Sequence, residues 1–325
     1  MEPVISINRT KLQPIIDEAL NGTRRIDLTK LSKEDWLSIR NILGLGASDV
    51  SVALGINKYK TSYQLWQEKV AEEVTPIQNK FMRAGLLLED AIITAYEEDC
   101  DKKVTRPKEL VIHPKYDCLF ATPDGLILDA EGKEEGIFQA KSTNKNVYQS
   151  WKEEETETQS IPIMYYCQVQ AEMECCNLNW AILGLFLTDT RDFVYVPIKR
   201  DQEFIDKMTT FLVAWWNLHV VQGEAPPPTA YEWDHFEPVP GTFIDIKDDE
   251  EAQKWVDECK EKQKQESKLK DEIEYLKNKI KEKLGENELL MKDGALVATY
   301  KMTKRAAYEV KESSYRTLKF VKEKK

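Results

Sequence analysis

The chain has 325 residues and carries 46 Lys and Arg against 57 Asp and Glu, a net charge of −11 at pH 7. Hydrophobic residues make up 42% and aromatic residues 10%, which is typical of a folded protein and excludes a disordered or low-complexity chain. The acidic balance also excludes a generally basic nucleic-acid coat protein, although it is compatible with an enzyme that holds DNA in one local groove.

Apolar periodicity predicts a chain in which helices come first, strands follow and helices return. The predicted elements are helices over Trp36–Leu43, Ser48–Leu54, Ser62–Val70 and Phe81–Asp99; strands over Leu110–His113, Leu119–Thr122, Leu126–Leu128 and Ile137–Lys141; a helix over Tyr165–Cys175; strands over Trp180–Leu187 and Phe193–Pro197; and a helix over Glu203–Val221. This order predicts an α/β fold with a mixed central sheet flanked by helices.

Residues 246–325 differ from the rest of the chain, because they carry a slight excess of Lys and Arg while the acidic excess lies before them. Several prolines precede this change and predict an extended connector, since proline fixes φ and removes a hydrogen-bond donor: Pro226, Pro227, Pro228, Pro238 and Pro240. We therefore predict two domains, residues 1–245 and residues 246–325.

The second predicted domain starts with a long helix over residues 249–284. Its apolar residues share one face: Leu269, Ile273, Leu276, Ile280 and Leu284. We expect this stripe to pack on its own domain, with a short inter-subunit coiled coil as the alternative. A small β unit is predicted over Leu289–Met302, turning at Lys292-Asp293-Gly294.

Two further patterns exclude classes of protein. The six cysteines form no C-x-x-C pair, which argues against zinc ribbons and cysteine-ligated iron–sulfur clusters. No run approaches the roughly 18 apolar residues that a membrane span needs, and the first residues lack the apolar segment of a signal peptide. We therefore expect a cytoplasmic protein.

Residues suited to phosphodiester chemistry lie between Glu89 and Lys141. Asp124 stands at the edge of one predicted strand, and Gln139 and Lys141 project to the same side of the next, since alternate residues of a strand share a face. Oxygen ligands hold Mg²⁺, which polarises a phosphate and acidifies a water, and a lysine orients that water. Glu89 offers a further carboxylate from a predicted helix.

The same residues also have an ordinary structural interpretation. Asp124-Gly125 is a very common turn dipeptide, and Gln139-Ala-Lys141 by itself identifies nothing. Spacing alone therefore leaves a metal site and a plain turn both open.

Six segments follow one another in a recognisable order: Trp36-Leu-Ser-Ile-Arg40 with Leu45-Gly-Ala-Ser48-Asp49-Val; Tyr59-Lys-Thr-Ser-Tyr63-Gln-Leu-Trp66-Gln-Glu-Lys69; Met82-Arg83-Ala-Gly85 with Glu89; Thr122-Pro-Asp124-Gly125; Gln139-Ala-Lys141; and Tyr165-Tyr166-Cys-Gln168-Val-Gln170. Together they resemble the motifs of the YqaJ-type viral recombinases, relatives of phage lambda exonuclease in the PD-(D/E)XK nuclease superfamily. The resemblance runs from about Trp36 to Val196. It implies a PD-(D/E)XK core, here followed by a helical and small β extension.

By this resemblance, Asp124, Gln139 and the Ala140 carbonyl hold the metal with help from Glu89, while Lys141 serves the attacking water. The metal is Mg²⁺, for which Mn²⁺ substitutes. The implied reaction is digestion of linear duplex DNA in the 5′-to-3′ direction, which leaves 3′ single strands for phage-type recombination by strand annealing.

The resemblance further implies that Arg40, Ser48 and Thr122 bind the 5′-phosphate of the DNA end, and that Gln168 and Tyr166 flank the site. A guanidinium and two hydroxyls suit a phosphate, although a surface arginine and a helix N-cap are the ordinary interpretations of Arg40 and Ser48. The implied partners are double-stranded DNA ends, a single-strand annealing protein of the RecT or Beta class and further copies of the chain in a homotrimer. The implied origin is a phage or prophage in a bacterial host.

One residue departs from the family's pattern, which usually has Glu where this chain has Gln139. An amide oxygen can ligate Mg²⁺ but lacks the negative charge that strengthens binding. A DNA-end-binding recombination protein with the same fold and impaired catalysis is therefore the alternative function. A nuclease of the RecB or CRISPR-adaptation type with an iron–sulfur cluster is a third hypothesis, which the cysteine spacing argues against.

Overall fold

The structure is a computed structural model that describes residues 5–74, 80–153, 161–237, 239 and 243–302. The chain divides into two units, Met1–Thr229 and Ala230–Lys325. The domain division predicted from charge and prolines, between residues 245 and 246, stays a prediction. Two prolines of its proposed connector, Pro238 and Pro240, lie outside the described residues.

The first unit contains eight of the described α-helices. They are α1 (Arg9–Asn21), α2 (Lys33–Leu43), α3 (Val50–Ala53), α4 (Ser62–Val70), α5 (Lys80–Cys100), α6 (Lys145–Glu153), α7 (Ile163–Cys176) and α8 (Gln202–Trp215), with short 3-10 turns at Leu28–Lys30 and Ala47–Asp49 and a π-helical turn at Trp216–Val221. Polar caps set several helix starts: the side chains of Asn8, Ser32, Thr61 and Asp201 accept hydrogen bonds from backbone N–H groups of the first helical turn.

The described strands of the first unit form three sheets. The strands are β1 (Ile5–Ser6), β2 (Arg25–Asp27), β3 (Leu45–Gly46), β4 (Glu73–Val74), β5 (Lys103–Thr105), β6 (Glu109–Ile112), β7 (Leu119–Ala121), β8 (Gly125–Leu128), β9 (Glu134–Thr143), β10 (Trp180–Leu187) and β11 (Phe193–Lys199). The largest sheet has the order β11-β10-β9-β8-β5, a second has the order β2-β6-β7-β3, and β1 pairs with β4.

The five-stranded sheet is mixed, because β9 pairs parallel with β10 and antiparallel with β8. Alternate residues of β9 face different helices. Phe138 and Ala140 pack in a cluster with Ile92 and Ile93 of α5, whereas Ile137 packs in a cluster with residues of α7. The α/β core with a mixed sheet flanked by helices is therefore confirmed.

The smaller four-stranded sheet carries the N-terminal helices. Leu12 and Ile16 of α1 and Ile39 of α2 pack with Leu110 and Phe120 of this sheet in one buried cluster. Gly44, just before β3, allows a close approach to the Cys118 carbonyl oxygen, because a Cβ there would lie 2.0 Å from that atom.

The second unit contains α9 (Ala230–His235), the long helix α10 (Glu250–Leu284) and a hairpin of β12 (Leu289–Lys292) and β13 (Ala295–Thr299). The predicted helix and β unit are confirmed, and the hairpin turns through Asp293 and Gly294 at φ 52° and 82°. The expectation that the apolar stripe packs on its own domain is wrong for most of its length. Only Leu284 is buried, while Leu269, Ile273, Leu276 and Ile280 are 42–59% exposed.

Most predicted elements lie within a few residues of the observed ones, and the helix over Ser62–Val70 and the strand over Trp180–Leu187 have their predicted bounds. Two predicted helices are divided. The segment Ser48–Leu54 begins in a 3-10 turn before α3, and the segment Glu203–Val221 ends as a π-helical turn after α8. None of the helices in the described part of the chain is both long and apolar enough to cross a membrane.

Candidate active site

Asp124 and Gln139 face each other at the start of β8. Gly125 pairs with Phe138 in the antiparallel register, which sets Asp124 opposite Gln139. The Gln139 amide nitrogen donates a hydrogen bond to Oδ2 of Asp124. The backbone N–H of Ala140 donates to the same oxygen at 2.8 Å. Two donors on one oxygen fix the orientation of the Asp124 carboxyl group.

The electrostatics of Asp124 are governed by burial. Burial raises the pKa of Asp124 above its ordinary value, while Lys141 and the hydrogen bonds from Ala140 and Gln139 act in the opposite direction. The amide oxygen of Gln139 is itself buried and has no hydrogen-bond partner among the described residues. The Asp124 carboxylate is therefore incompletely compensated by positive charge, and the Gln139 amide oxygen has no donor among the described residues.

Lys141 and Glu89 complete this cluster from two other directions. Lys141 shares the face of Gln139, and its ammonium lies 5.8 Å from the ring centroid of Tyr165 on α7. Glu89 comes from α5 on the opposite side of the sheet. Burial raises the pKa of Glu89 to about 7, Asp124 adds to that rise and Lys141 opposes it. The structure thus brings together four of the predicted catalytic and metal-binding residues: Glu89, Asp124, Gln139 and Lys141.

A further acid, Glu172, was missed by the sequence motifs. It lies on α7 with 0% of its surface exposed. Gln168 donates from its amide nitrogen to Oε1 of Glu172 at 2.9 Å. Burial raises the pKa of Glu172 from 4.5 to about 8, Asp124 adds to the rise and Lys141 opposes it. The only signal in the sequence is an acid that stands between the apolar residues Ala171 and Met173.

The two residues predicted to flank the site have different surroundings. Gln168 contacts Glu172, as just described, and so lies beside the cluster. Tyr166 instead donates its hydroxyl to Oδ2 of Asp201 at 3.2 Å and packs edge-on against Phe204. These contacts join the side chain of Tyr166 to the start of α8, and its role beside the site stays a prediction.

Arg40 and Ser48 form a second polar group. Arg40 donates from its guanidinium to Oγ of Ser48 at 3.0 Å. The same guanidinium lies over the Trp36 ring, 5.0 Å from the centroid, a cation–π geometry that fixes its plane. Ser48 lies within a 3-10 turn and accepts from Arg40 rather than capping a helix. Thr122 lies between β7 and Asp124, so it connects the neighbourhood of the small sheet with the carboxylates along the chain.

A buried ion pair holds the segments that carry Arg40 and Ser48. Lys69 and Asp49 are 2.8 Å apart, with side chains only 6% and 14% exposed. Lys69 also donates to the Arg40 carbonyl at 3.2 Å, and Asp49 accepts from the Gly46 N–H at 3.1 Å. Although burial opposes it, the surrounding positive charge, chiefly Lys69, lowers the pKa of Asp49 to about 2. Asp49 and Lys69 were quoted as parts of motifs, but their pairing was not predicted.

The donor set of the carboxylate cluster suits a hard divalent cation. Its oxygens come from carboxylates and an amide, which are hard oxygen ligands of the kind that Mg²⁺ takes. The unpartnered Gln139 oxygen and the raised pKa values of Asp124 and Glu89 indicate a place where positive charge is needed. No group of three or more His, Cys, Asp or Glu side chains in the described ranges forms a metal cluster, so the Gln139 amide oxygen is essential to this fit.

Comparison with known proteins identifies the segment that carries these residues. Residues 35–179 match the family model of the YqaJ-like viral recombinase domain. This segment is therefore similar to that domain. The resemblance inferred from the six ordered motifs is confirmed, and the matched segment contains every residue predicted for the site.

One curated relative and several solved structures are similar to the chain. The protein YqaJ of Bacillus subtilis (strain 168) is 32% identical over 201 residues, which span 61% of this chain and 60% of that protein. The alkaline exonuclease LHK-Exo from Laribacter hongkongensis is 23% identical, with a TM-score of 0.45, over 56% of this chain and 90% of its own. A phage-related exonuclease from Haemophilus somnus 129PT is 14% identical, with a TM-score of 0.41, over 57% of this chain and 100% of its own.

The match spans about 60% of the length of the curated relative. The two structural similarities have TM-scores below 0.5 and bear on neither the fold nor the activity of this chain. The activity, substrate and partners of the whole protein are therefore proposals.

Proposed function

We propose that this protein is a Mg²⁺-dependent deoxyribonuclease that digests linear duplex DNA from its 5′ ends and leaves 3′ single strands for recombination by strand annealing. The observation that carries the proposal is the convergence of Asp124, Gln139 and Lys141 on two adjoining strands, inside a YqaJ-like viral recombinase domain. Mn²⁺ is expected to substitute for Mg²⁺, since both take oxygen ligands.

The residues that would hold Mg²⁺ are Asp124, Gln139 through its amide oxygen, the Ala140 carbonyl and Glu89. When bound, the ion polarises the scissile phosphate and lowers the pKa of a bound water. The hydrogen bonds that Asp124 accepts keep its carboxylate oriented before any ligand arrives. This preorganisation avoids part of the entropy cost of assembling the site.

Lys141 would orient the attacking water and stabilise negative charge on the phosphate. Its position over the Tyr165 ring restricts the ammonium to the Gln139 side of β9. In the absence of a cation, burial and Asp124 raise the pKa of Glu89 to about 7. Glu89 would therefore help to hold the cation, while Lys141 would orient the water beside it.

Arg40 and Ser48 would bind the 5′-phosphate of the DNA end, with Thr122 as a further hydroxyl donor. A guanidinium pairs with two phosphate oxygens at once, and stacking on Trp36 limits the rotation of its plane. Thr122 and Asp124 are separated by one residue, so a phosphate held at Thr122 lies close along the chain to the catalytic carboxylate. Recognition of an end and cleavage near it would thereby be linked.

The proposed setting is a phage or prophage recombination system in the cytoplasm of a bacterial host. The partners would be a single-strand annealing protein of the RecT or Beta class and further copies of this chain in a trimer. The family of residues 35–179 supports a role in recombination. An acidic outer surface with a locally basic channel would reconcile the net charge of −11 with a DNA substrate.

A second candidate function is supported by the Gln139 side chain. Its amide nitrogen donates to Asp124, a contact that a carboxylate at this position could not make. This hydrogen bond stabilises Asp124 without a cation, and Gln139 brings no negative charge of its own. A protein that binds 5′-phosphorylated ends without cleaving them is therefore the alternative.

The polarity of digestion tests the proposed function. A linear duplex labelled at one 5′ end and, in parallel, at one 3′ end would be incubated with Mg²⁺ and the products separated by size. Early release of the 5′ label as mononucleotide, with the 3′-labelled strand left long, is expected. Early release of the 3′ label would contradict the proposed direction, and retention of both labels with persistent end binding would favour the alternative function.

A further inference from the structure

Glu172 is a buried acid with one unused oxygen. Its side chain is fully enclosed, and Gln168 occupies Oε1. Oε2 is buried and has no hydrogen-bond partner in the part of the chain that the structure describes. A buried carboxyl oxygen without a partner destabilises the fold, so such a group calls for a functional explanation.

The helix that carries Glu172 covers one particular face of β9. At one end of the contact, Lys141 lies over the ring of Tyr165. At the other end, Ile137 packs in a cluster with Val169 and Met173. Gln139 shares the face of Ile137 and Lys141 and lies between them in the strand. Glu172, seven residues after Tyr165, occupies the same side of α7, since residues seven apart complete about two helical turns.

The charged residues around Gln139 also link Glu172 to the carboxylate cluster. Glu172 interacts electrostatically with both Asp124 and Lys141. Gln139 and Glu172 each keep one buried oxygen that no described residue contacts by a hydrogen bond. The strand thus lacks an acid at residue 139, while the helix packed on that face carries an acid that the motifs did not assign.

We propose that Glu172 supplies the negative charge that residue 139 lacks, and so helps Asp124 to hold the divalent cation of the nuclease site. This inference rests on the proposed function. It assigns the cation to a site whose acids are Asp124, just before β8, and Glu172 of α7. Gln139 then contributes a neutral oxygen, and Gln168 is a positioning residue that orients the Glu172 carboxyl group.

Cation affinity of the full chain tests this inference without depending on catalysis. Binding of Mn²⁺ and of Mg²⁺ would be measured by titration calorimetry for wild type, Glu172→Gln and Glu203→Gln. Glu203 is an exposed acid on α8, so its substitution makes the same chemical change away from the site. We expect Glu172→Gln to weaken cation binding about 10-fold to 100-fold and Glu203→Gln to leave it unchanged.

A double variant that moves the acid from the helix to the strand distinguishes the loss of charge from a purely structural effect. In Gln139→Glu/Glu172→Gln the acid returns to the strand and leaves the helix, so binding should recover to within about threefold of wild type. Thermal unfolding in EDTA would show whether each variant is folded. Because glutamine is close in shape to glutamic acid and removes an unpartnered acid, we expect Glu172→Gln to be at least as stable as wild type.

The outcomes separate this inference from the proposed function. If wild type binds neither cation, the proposed metal-dependent nuclease is wrong and the role of Glu172 is wrong with it. If wild type binds a cation and releases nucleotides but folded Glu172→Gln binds equally well, the inference alone is overturned. The inference would also be overturned if the double variant Gln139→Glu/Glu172→Gln is folded but does not recover cation binding.

Discussion

The amide of Gln139 donates to Oδ2 of Asp124 across two antiparallel strands, and the neighbouring Ala140 N–H donates to the same oxygen. This relationship explains how a buried carboxylate is tolerated at the centre of the cluster when no cation is bound. It also gives residue 139 two opposing roles. The nitrogen stabilises Asp124, whereas the oxygen is free to accept from water or to ligate a cation.

Gln139→Glu is expected to make stability depend on a divalent cation. In EDTA the variant should lose about 1–3 kcal/mol of unfolding free energy, because a hydrogen-bond donor to Asp124 is replaced by a second acid. Mg²⁺ should restore much of this loss. The measurement is urea unfolding in EDTA and in Mg²⁺.

Gln170→Glu offers a matched control for that experiment. Gln170 is also buried, and its amide donates to the Lys199 carbonyl while accepting from the Asp201 N–H. This variant should be destabilised equally in EDTA and in Mg²⁺. A similar Mg²⁺ response in both variants would show that the effect does not arise at the Asp124 site.

Arg40→Lys is expected to reduce the preference for 5′-phosphorylated ends about tenfold, because lysine lacks the planar fork that pairs with phosphate and stacks on Trp36. The measurement compares initial rates on duplexes with 5′-phosphate and 5′-hydroxyl ends. Arg9→Lys, on the exposed start of α1, is the control. An unchanged preference in Arg40→Lys would contradict the proposed role of Arg40 in binding the 5′-phosphate.

Lys69→Met is expected to lower the free energy of unfolding by about 3–5 kcal/mol, since it leaves Asp49 buried without its charge partner. Urea unfolding gives this value directly. The comparison is Lys11→Met, which removes the Lys11–Asp35 pair, where Lys11 is 57% exposed, and should cost less than about 1 kcal/mol. Equal losses in the two variants would mean that the Asp49–Lys69 pair does not support the segment carrying Arg40.

Protein stability without divalent cations should fall as pH rises from about 5 to about 9. The folded state raises the pKa of Glu172 from 4.5 to about 8 and that of Glu89 to about 7, so it holds these protons more tightly than the unfolded chain does. This stabilisation is complete below the unfolded pKa and is lost as pH rises through the folded pKa. Urea midpoints in EDTA across this range should therefore decline less in Glu172→Gln than in wild type, and parallel declines would contradict the assignment.

Periodic apolar residues made much of the first unit predictable. Strand β10 and helix α4 have clear apolar patterns and flanking breakers, and their bounds agree with the predicted ones. Helix α1 was not predicted. It contains Pro14 and follows a capping Asn8, and its burial comes from contacts of Leu12 and Ile16 with a distant sheet. Such long-range packing leaves little trace in a local pattern.

The candidate catalytic cluster was predictable only where motifs exist. Asp124, Gln139 and Lys141 lie on adjoining strands, so period-two alternation places them on one side. Glu172 is far from them in sequence and reaches the cluster only because α7 packs across β9. The apolar stripe on α10 is a different case. Its period predicts the helix correctly, but the period does not show whether another part of the protein packs on that face.

The central claim is metal-dependent cleavage at the Asp124 cluster, and one measurement tests it most directly. Release of acid-soluble nucleotides from a linear 5′-phosphorylated duplex would be followed with Mg²⁺, Mn²⁺ or EDTA. We expect release with either cation and none in EDTA, with a loss of at least about 100-fold in Lys141→Ala and no loss in Lys145→Ala, an exposed lysine at the start of α6. Absence of release under every condition, or equal release by Lys141→Ala, would contradict the account.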